Sequence, residues 1–348
     1  MFNIAGALAM TVPLIGIAKY SLDSHNAHRI IRDKDFTDKT KPSEKSDVSL
    51  YLPESSAVPF TFAGKDVIED YPGSHTGDPK IMNMQATQVI YGIIIGESGV
   101  HAYANGHTSK SSPNAHWGGW DYSKAKGLLY PGSMLALEAL LHHNKDHKPL
   151  DTEGYGSLYK EAFSKTPLQG LPSQFVNWVN TGTPVKQDNV MTAVRSVIAA
   201  AIFSSGFNGS PGLAIRQAMR MARADGSPYE AVKGSAVATG CVWLAMTGAS
   251  KSVIRRYAEQ YYDLNEAVTA MDEDPQTCRY AVPYAISKFC NQKCIEDTIY
   301  EIASDGGAAY AGAAAIAGAI ACVNEGLTKE DRSWVKSFIP EKYTGVLI

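Results

Sequence analysis

The sequence predicts an all-α fold, a compact multi-helix bundle, and three observations predict it. Alanine, the residue with the highest helix propensity, occurs 43 times among 348 residues, against 17 prolines. Apolar residues recur at helical intervals through the second half of the chain, in segments opened by Ser-Pro or closed by Gly. The links between these segments are short, which favours one helical domain over residues 1–348 with its core in the C-terminal half.

The elements follow in order. Residues 1–18 are apolar, but no Lys or Arg precedes the run and Pro13 interrupts it, so a buried helix is expected and not a secretory signal. Residues 19–80 are the least regular part, with a solvated loop of Ser, Asp, Lys and Pro over 33–59 and some strand-like character over 58–67. Helical patterning starts at Lys80 and ends at Gly92 or Gly96; residues 99–131, rich in His, Gly, Ser, Trp and Asn, read as a long structured loop. Pro131 and Ser133 open the next helix. Asp188 is an acceptable N-cap for a helix over 188–205. Ser210 with Pro211, and Ser227 with Pro228, each place an N-cap before a proline at the first helical position, and the second of these helices stops at Gly248. A helix over 250–263 follows at once, and others are expected over 281–290, 294–303, 308–323 and 329–337.

Composition excludes several functions. Hydrophobic residues make up 45% and charged residues 19%, which suits a folded chain. A net charge of −3 offers no basic stripe to neutralise phosphates, so nucleic acid is not an expected partner. The uncharged run over 306–323 is mostly Ala and Gly, a poor membrane span, and no membrane partner is expected. The five cysteines form no disulfide framework; Cys290 and Cys294 are one helical turn apart, but no nearby His or second pair completes a zinc site. Reduced thiols in a cytoplasmic protein are expected. His142, His143 and His147 lack the His-Glu-x-x-His pattern and sit where a helix C-terminus favours cations. No phosphate-cradling loop and no Gly-x-Ser-x-Gly elbow occurs.

The informative segment is 304–327. Gly306 and Gly307 open a helix of small residues that ends in Ala315-Ile316-Ala317-Gly318-Ala319, with Gly326, Trp334 and Pro340 beyond it. This resembles the last signature of the ADP-ribosylglycohydrolase family, whose members show Gly-Gly-Asp-x-Asp-Thr, a small-residue helix ending in Ala-x-Ala-Gly-Ala, then a Gly and a Trp. Other segments match more loosely. Residues 3–10 resemble the family's opening Gly-Ala-Leu helix, and 75–87 fall where its Thr-Asp-Asp-Thr metal motif opens a helix. Residues 188–197 resemble its central Asn-x-x-Met-Arg segment, and 231–248 its helix of the type Ala-x-x-Gly-x-x-x-x-Ala. The resemblance implies a compact all-α, ADP-ribosylglycohydrolase-like domain with a central binuclear magnesium site. Magnesium requires hard oxygen ligands, and two such ions can orient ADP-ribose and activate water. In the family those carboxylates come from the early acidic pair and the late Asp-x-Asp. The resemblance thereby marks Thr76, Asp78, Asn189, Asp305, Ala309 and Ala311 as what remains of the cleft.

At these positions the chain departs from the family. Ala309 and Ala311 stand where the late aspartates belong, and Gly312 where the threonine belongs; Asp305 lies upstream of both glycines. In the early motif Gly77 replaces one acid, Asp78 survives, and Pro79 replaces the closing threonine. Gly16 is followed by Ile17, so the opening helix lacks the family's Gly-Asp pair. A methyl group cannot coordinate Mg²⁺, so no catalytic residue, metal ligand or cofactor is expected. Within the family the chain is similar to the J-type lens crystallins of jellyfish, a branch related to selenoprotein J, through its size and the segments at 71–78 and 278–290. The expectation is a structural eye-lens protein, cytoplasmic in lens cells, derived from a hydrolase but without its chemistry. Two readings stand beside it: a magnesium-dependent hydrolase using Asp78, Asp305 and other acids, such as Asp66, Asp70 and Glu97, as substitute ligands, and a metal-free ADP-ribose-binding protein. Self-association at high concentration and residual ADP-ribose binding are left open as partners.

Overall fold

The computed structural model describes residues 79–104, 130–146, 149–165, 170–203, 211–327, 329–337 and 339–347. The segment 1–78, with its expected opening helix and strand-like stretch, and the polar segment 105–129 lie outside them. The regular structure of the described residues is all helical, with no strand among them, as the composition predicts. In chain order the helices are α1 (Pro79–Ala104), α2 (Pro131–Asp146), α3 (Thr152–Lys165), α4 (Ser173–Thr181), α5 (Met191–Ser196), α6 (Ala199–Ile202), α7 (Pro211–Arg223), α8 (Tyr229–Met246), α9 (Lys251–Ala258), α10 (Leu264–Ala270), α11 (Cys278–Asn291), α12 (Ile295–Gly306), α13 (Ala311–Glu325), α14 (Lys329–Lys336) and α15 (Glu341–Thr344). A 3₁₀ turn (Gly307–Tyr310) joins α12 to α13.

At the centre lies the pair α1–α13. Helix α13 is buried all round from Ala313 to Cys322, as a helix without a polar face must be. Its small residues let the two axes come close. A β-carbon at Gly92 would overlap the Gly318 carbonyl, one at Gly96 the Ala314 carbonyl, and one at Gly318 the Gly92 carbonyl. The order of these contacts runs backwards along α13, so the two helices are antiparallel. Glycine is required here by backbone approach, not by a special φ.

Around this pair, α8 packs on α5, α7, α11 and α13. A buried ion pair fastens the outer layer: Arg195 Nη2 of α5 lies 2.8 Å from Asp225 Oδ2, which follows α7, with side chains 0% and 2% exposed. The guanidinium also donates to the Met221 and Ala222 carbonyls and lies over the rings of Tyr159 and Phe175. One side chain thus ties α3, α4, α5 and α7 together. At the C-terminus, Lys342 and Tyr343 each donate to Glu138 of α2 at 2.6 Å.

Several local expectations need correction. Helix α1 continues to Ala104, past the expected stop at Gly96, because Val100 and Ala102 are buried and extend its apolar face. The helix expected over 188–205 is two, α5 and α6, broken near Val197. The Ser196 hydroxyl donates to the Thr192 carbonyl at 2.7 Å, a back-bond of the kind that bends helices. Asp188 is not the cap: it accepts from the Arg279 amide at 3.0 Å, while Asn189 Oδ1 accepts from the Met191 amide at 2.9 Å. Ser227 does not cap α8 either, since its hydroxyl donates to Asp225 at 2.6 Å and Pro228 takes the N-cap position. The stretch 250–263 is helical only to Ala258, and the one expected over 281–290 begins at Cys278. The helix over 308–323 starts instead as a 3₁₀ turn, because Gly307 (φ 55°, ψ −139°) stops α12 in a conformation open to glycine.

One stretch, 295–325, has the length and hydropathy of a membrane span, with an 18-residue window at mean hydropathy 1.6. The break at Gly307 divides it, and 61% of that window is buried in the bundle.

Candidate functional site

The opening of α13 is assembled from four directions. Behind it, α12 ends at Asp305-Gly306-Gly307. Asp305 pairs with Lys288 of α11 at 2.6 Å and accepts from the Tyr284 hydroxyl at 2.6 Å; Glu301 also meets Lys288, at 3.4 Å. The Tyr310 hydroxyl donates to Asp272, and its ring stands edge-on to Tyr284 at 5.3 Å. Burial, then the carboxylate beside each, pushes both phenols well above the usual tyrosine range. A β-carbon at Gly306 would overlap the Tyr310 ring, so Gly306 makes room for this arrangement.

From the side, Gln276 bridges two segments. Its Nε2 donates to the Ala309 carbonyl at 2.6 Å, and its own carbonyl accepts from the Val190 amide at 2.7 Å. Gly312 lies so close to Val190 that a β-carbon would overlap that side chain. The Asn189–Val190 corner is therefore seated directly on the first turn of α13.

From α1 comes Glu97. Gly96 marks the crossing opposite Ala314, and the 3₁₀ turn itself packs on α1, so Glu97 lies level with the start of α13. Its side chain is 5% exposed and accepts from the Ser133 hydroxyl in the first turn of α2. Burial pushes its carboxyl up to about 8; the Ser133 hydrogen bond opposes that rise and loses. Glu97 is thus neutral at pH 7. Beside it, the Tyr130 ring stacks on His101 at 4.5 Å. Burial, with Glu97 second, raises the Tyr130 phenol, and burial lowers the His101 imidazole. Gly132 closes the circle: a β-carbon there would lie 2.7 Å from Val194 Cγ1 of α5.

The sequence-marked residues divide into three groups. Asn189, Ala309 and Ala311 come together at this opening. Asp305 is adjacent, but its carboxylate is held by Lys288 and Tyr284 on α11. Thr76 and Asp78 lie outside the described residues. Pro79, where α1 begins, is at the other end of the antiparallel pair, 17 residues before the Gly96 crossing, or about 25 Å along the helix. The described segments that meet the start of α13 are instead Glu97 on α1 and Tyr130–Ser133 at the start of α2. A signal for Glu97 exists in the sequence: Gly92 and Gly96 stand one turn apart and an acid follows at once, a Gly-acid pair of the kind absent from residues 3–18. Ser133 and Tyr130 carry no such signal.

The donor set decides what chemistry is open. A binuclear magnesium site needs several ionised carboxylates. Among the described residues this opening presents the methyl groups of Ala309 and Ala311, the bare backbone of Gly132 and Gly312, the Ser133 hydroxyl, the Tyr130 phenol and the buried Glu97, while the carboxylates behind it, Asp305 and Asp272, are held by Lys288, Tyr284 and Tyr310. These residues do not fit such a site. Among the described residues no cluster of three His, Cys, Asp or Glu side chains is arranged to hold a metal ion.

A second concavity, an open groove of about 320 Å³, lies between α8, α10 and α11, lined among others by Lys233, Tyr262, Arg279 and Tyr280. The chain's own cations cover its ring faces, Lys233 at 4.2 Å over Tyr262 and Arg279 at 5.4 Å over Tyr280. It offers less to a ligand than its lining suggests.

No protein-family model matches the chain, and no curated protein matches it. Among solved structures it is similar to one titled "ADP-ribosylglycohydrolase-related protein complex", with a TM-score of 0.49 and 15% identity, covering 76% of this chain and 93% of that one.

Proposed function

We propose that this chain is a catalytically silent relative of the ADP-ribosylglycohydrolases with a structural role, in its most specific form that of an eye-lens crystallin. The observation that carries the proposal is the composition of the α13 opening. Where the family resemblance calls for metal-binding carboxylates, the chain has Ala309 and Ala311, and the buried acid of the helix that crosses α13 near its start, Glu97, has its carboxyl pushed up to about 8. The work that a metal cluster would do in holding helix openings together falls to side chains: Gln276 between Val190 and Ala309, Tyr284 and Lys288 on Asp305, and Tyr310 on Asp272. A bundle stapled in this way needs no ion to stay folded, which suits a protein kept at high concentration for long periods. Cytoplasmic localisation and self-association in the lens belong to the same proposal.

Calorimetric titration tests it. Neither Mg²⁺ nor ADP-ribose, alone or together, is expected to bind, and no ADP-ribose should be released from modified arginine or serine. Micromolar binding of both with release of ADP-ribose would establish a hydrolase with substitute ligands. A rise in Tm with ADP-ribose and no metal would instead establish a metal-free ADP-ribose-binding protein, since a ligand selective for the native state stabilises it. Immunolocalisation outside lens cells would refute the crystallin assignment.

A further inference from the structure

Helix α7 turns one kind of side chain toward solvent. From Pro211 to Arg223 every residue is buried except Gly212, Arg216, Arg220 and Arg223. The arginines stand four and three positions apart, so they form a row about 10 Å long on one face. Arg220 is met by the neutral side-chain amide of Gln217 at 3.1 Å, and Arg223 Nε is buried with no acceptor. Lys165, Lys251, Arg255, Lys288 and Lys342 each have an acid partner in the same chain; Arg220 and Arg223 have none among the described residues. Burial pushes the Arg223 guanidinium below its usual range, with no acid to oppose the shift. The helix dipole favours a cation in the last turn of α7, but it does not account for Arg216 one turn earlier.

The complementary charge lies elsewhere on the same chain. Asp263, Glu266, Asp272 and Glu273 are exposed and Asp274 half-buried, and no Lys or Arg occurs between 257 and 278. The donors that meet these acids are neutral: backbone amides for Asp263 and Asp274, the Tyr310 hydroxyl for Asp272 and the Tyr280 hydroxyl for Glu273. Helix α7 packs on α3, α5, α6 and α8, whereas α10 packs on α11, so the two surfaces do not face each other within one molecule. We propose that the arginine row of α7 docks on the acidic face of α10 and its following turn in a second copy of this chain, head to tail. A guanidinium meets a carboxylate with two parallel hydrogen bonds, and it is more weakly hydrated than an ammonium, so pairing it costs less water. Because the two surfaces differ, every copy offers both, and the contact builds open chains that grow with concentration. Exposed charge pairs make such a contact weak and salt-sensitive. It gives the self-association of the structural role proposed above its two surfaces, and they stand whether or not the chain turns over ADP-ribose.

Sedimentation equilibrium of the full chain reads this contact separately from any ADP-ribose assay. The wild type should self-associate at about 10 mM NaCl and be monomeric at about 1 M, as the Debye length shrinks from about 30 to about 3 Å. Two charge reversals, Arg220→Glu with Arg223→Glu and Glu266→Lys with Glu273→Lys, should each abolish association at low salt, and mixing the two variants should restore it. Lys186→Glu with Arg256→Glu alters exposed cations elsewhere and matches the first reversal in net charge, so it should retain association. If the arginine reversal does not fold, as circular dichroism would show, the Glu266 and Glu273 reversal on the other face decides alone. A wild type that is monomeric at both salts, a control that loses association as fully as the arginine reversal, or a row that captures a polyanion such as heparin without self-association would each overturn the proposal.

Discussion

Gly96 on α1 meets the main-chain carbonyl of Ala314 on α13 with no space for a side chain between them. The obstacle is backbone on both helices, so no rotamer change can relieve a larger residue. Gly96→Ala should cost about 3 kcal/mol, the upper end of ordinary overpacking. Gly345→Ala, at a half-turn with φ −73° and open space around it, should stay within about 0.5 kcal/mol. Urea unfolding of the two variants checks the contrast, and equal stabilities would show that the helices slide apart without penalty.

Asp225 is the counter-ion of a guanidinium with no exposure to solvent. Asp225→Ala leaves Arg195 charged and buried, and should cost about 3–5 kcal/mol. Combining it with Arg195→Met removes the stranded charge, so the double variant should be more stable than Asp225→Ala alone. Additive losses in a double-mutant cycle would mean that the pair is not coupled.

The five thiols should separate by accessibility. Cys241, Cys278 and Cys322 are fully buried, while Cys290 and Cys294 are half-buried. Burial pushes the Cys241 and Cys278 thiols well above the usual range and Cys290 up to about 11. Thiolate is the reacting form, so native labelling with a disulfide reagent at pH 8 should be slow, begin at Cys294, and speed up as pH rises. All five should react at once in denaturant. Rapid native labelling of Cys241 or Cys278 would contradict the packing around α8.

Helix type and the small-residue character of α13 were legible in residue order. Ala313 to Cys322 has no polar face, and only burial suits such a helix. The caps were less legible. Asp188 and Ser227 are both chemically able to cap, yet each is drawn to a partner that local sequence does not show, the Arg279 amide for one and Asp225 for the other. The helices α3, α4 and α10 drew no expectation. The first turns of α3 and α4 show weak patterning, and α10 is a seven-residue helix set by the Asp263 cap on the Asn265 and Glu266 amides.

The candidate site divides in the same way. That Ala309 and Ala311 lie at a helix opening, and that Asn189 begins another, follows from residue types and spacing. Local periodicity does not carry what comes to face them. Gly96 meets Ala314, and Val190 meets Gly312, across long separations in the chain, and these contacts depend on how closely two backbones approach. That approach sets the antiparallel register of α1 on α13. It places Glu97 and Ser133 at the opening and the start of α1 at the far end. Residue order determined that this is a bundle of helices with a core of alanine and glycine, because propensity and burial act within a few turns. Only the packing of distant segments decided that Glu97 is buried against Ser133 near the start of α13, and that burial, not local sequence, pushes its carboxyl up.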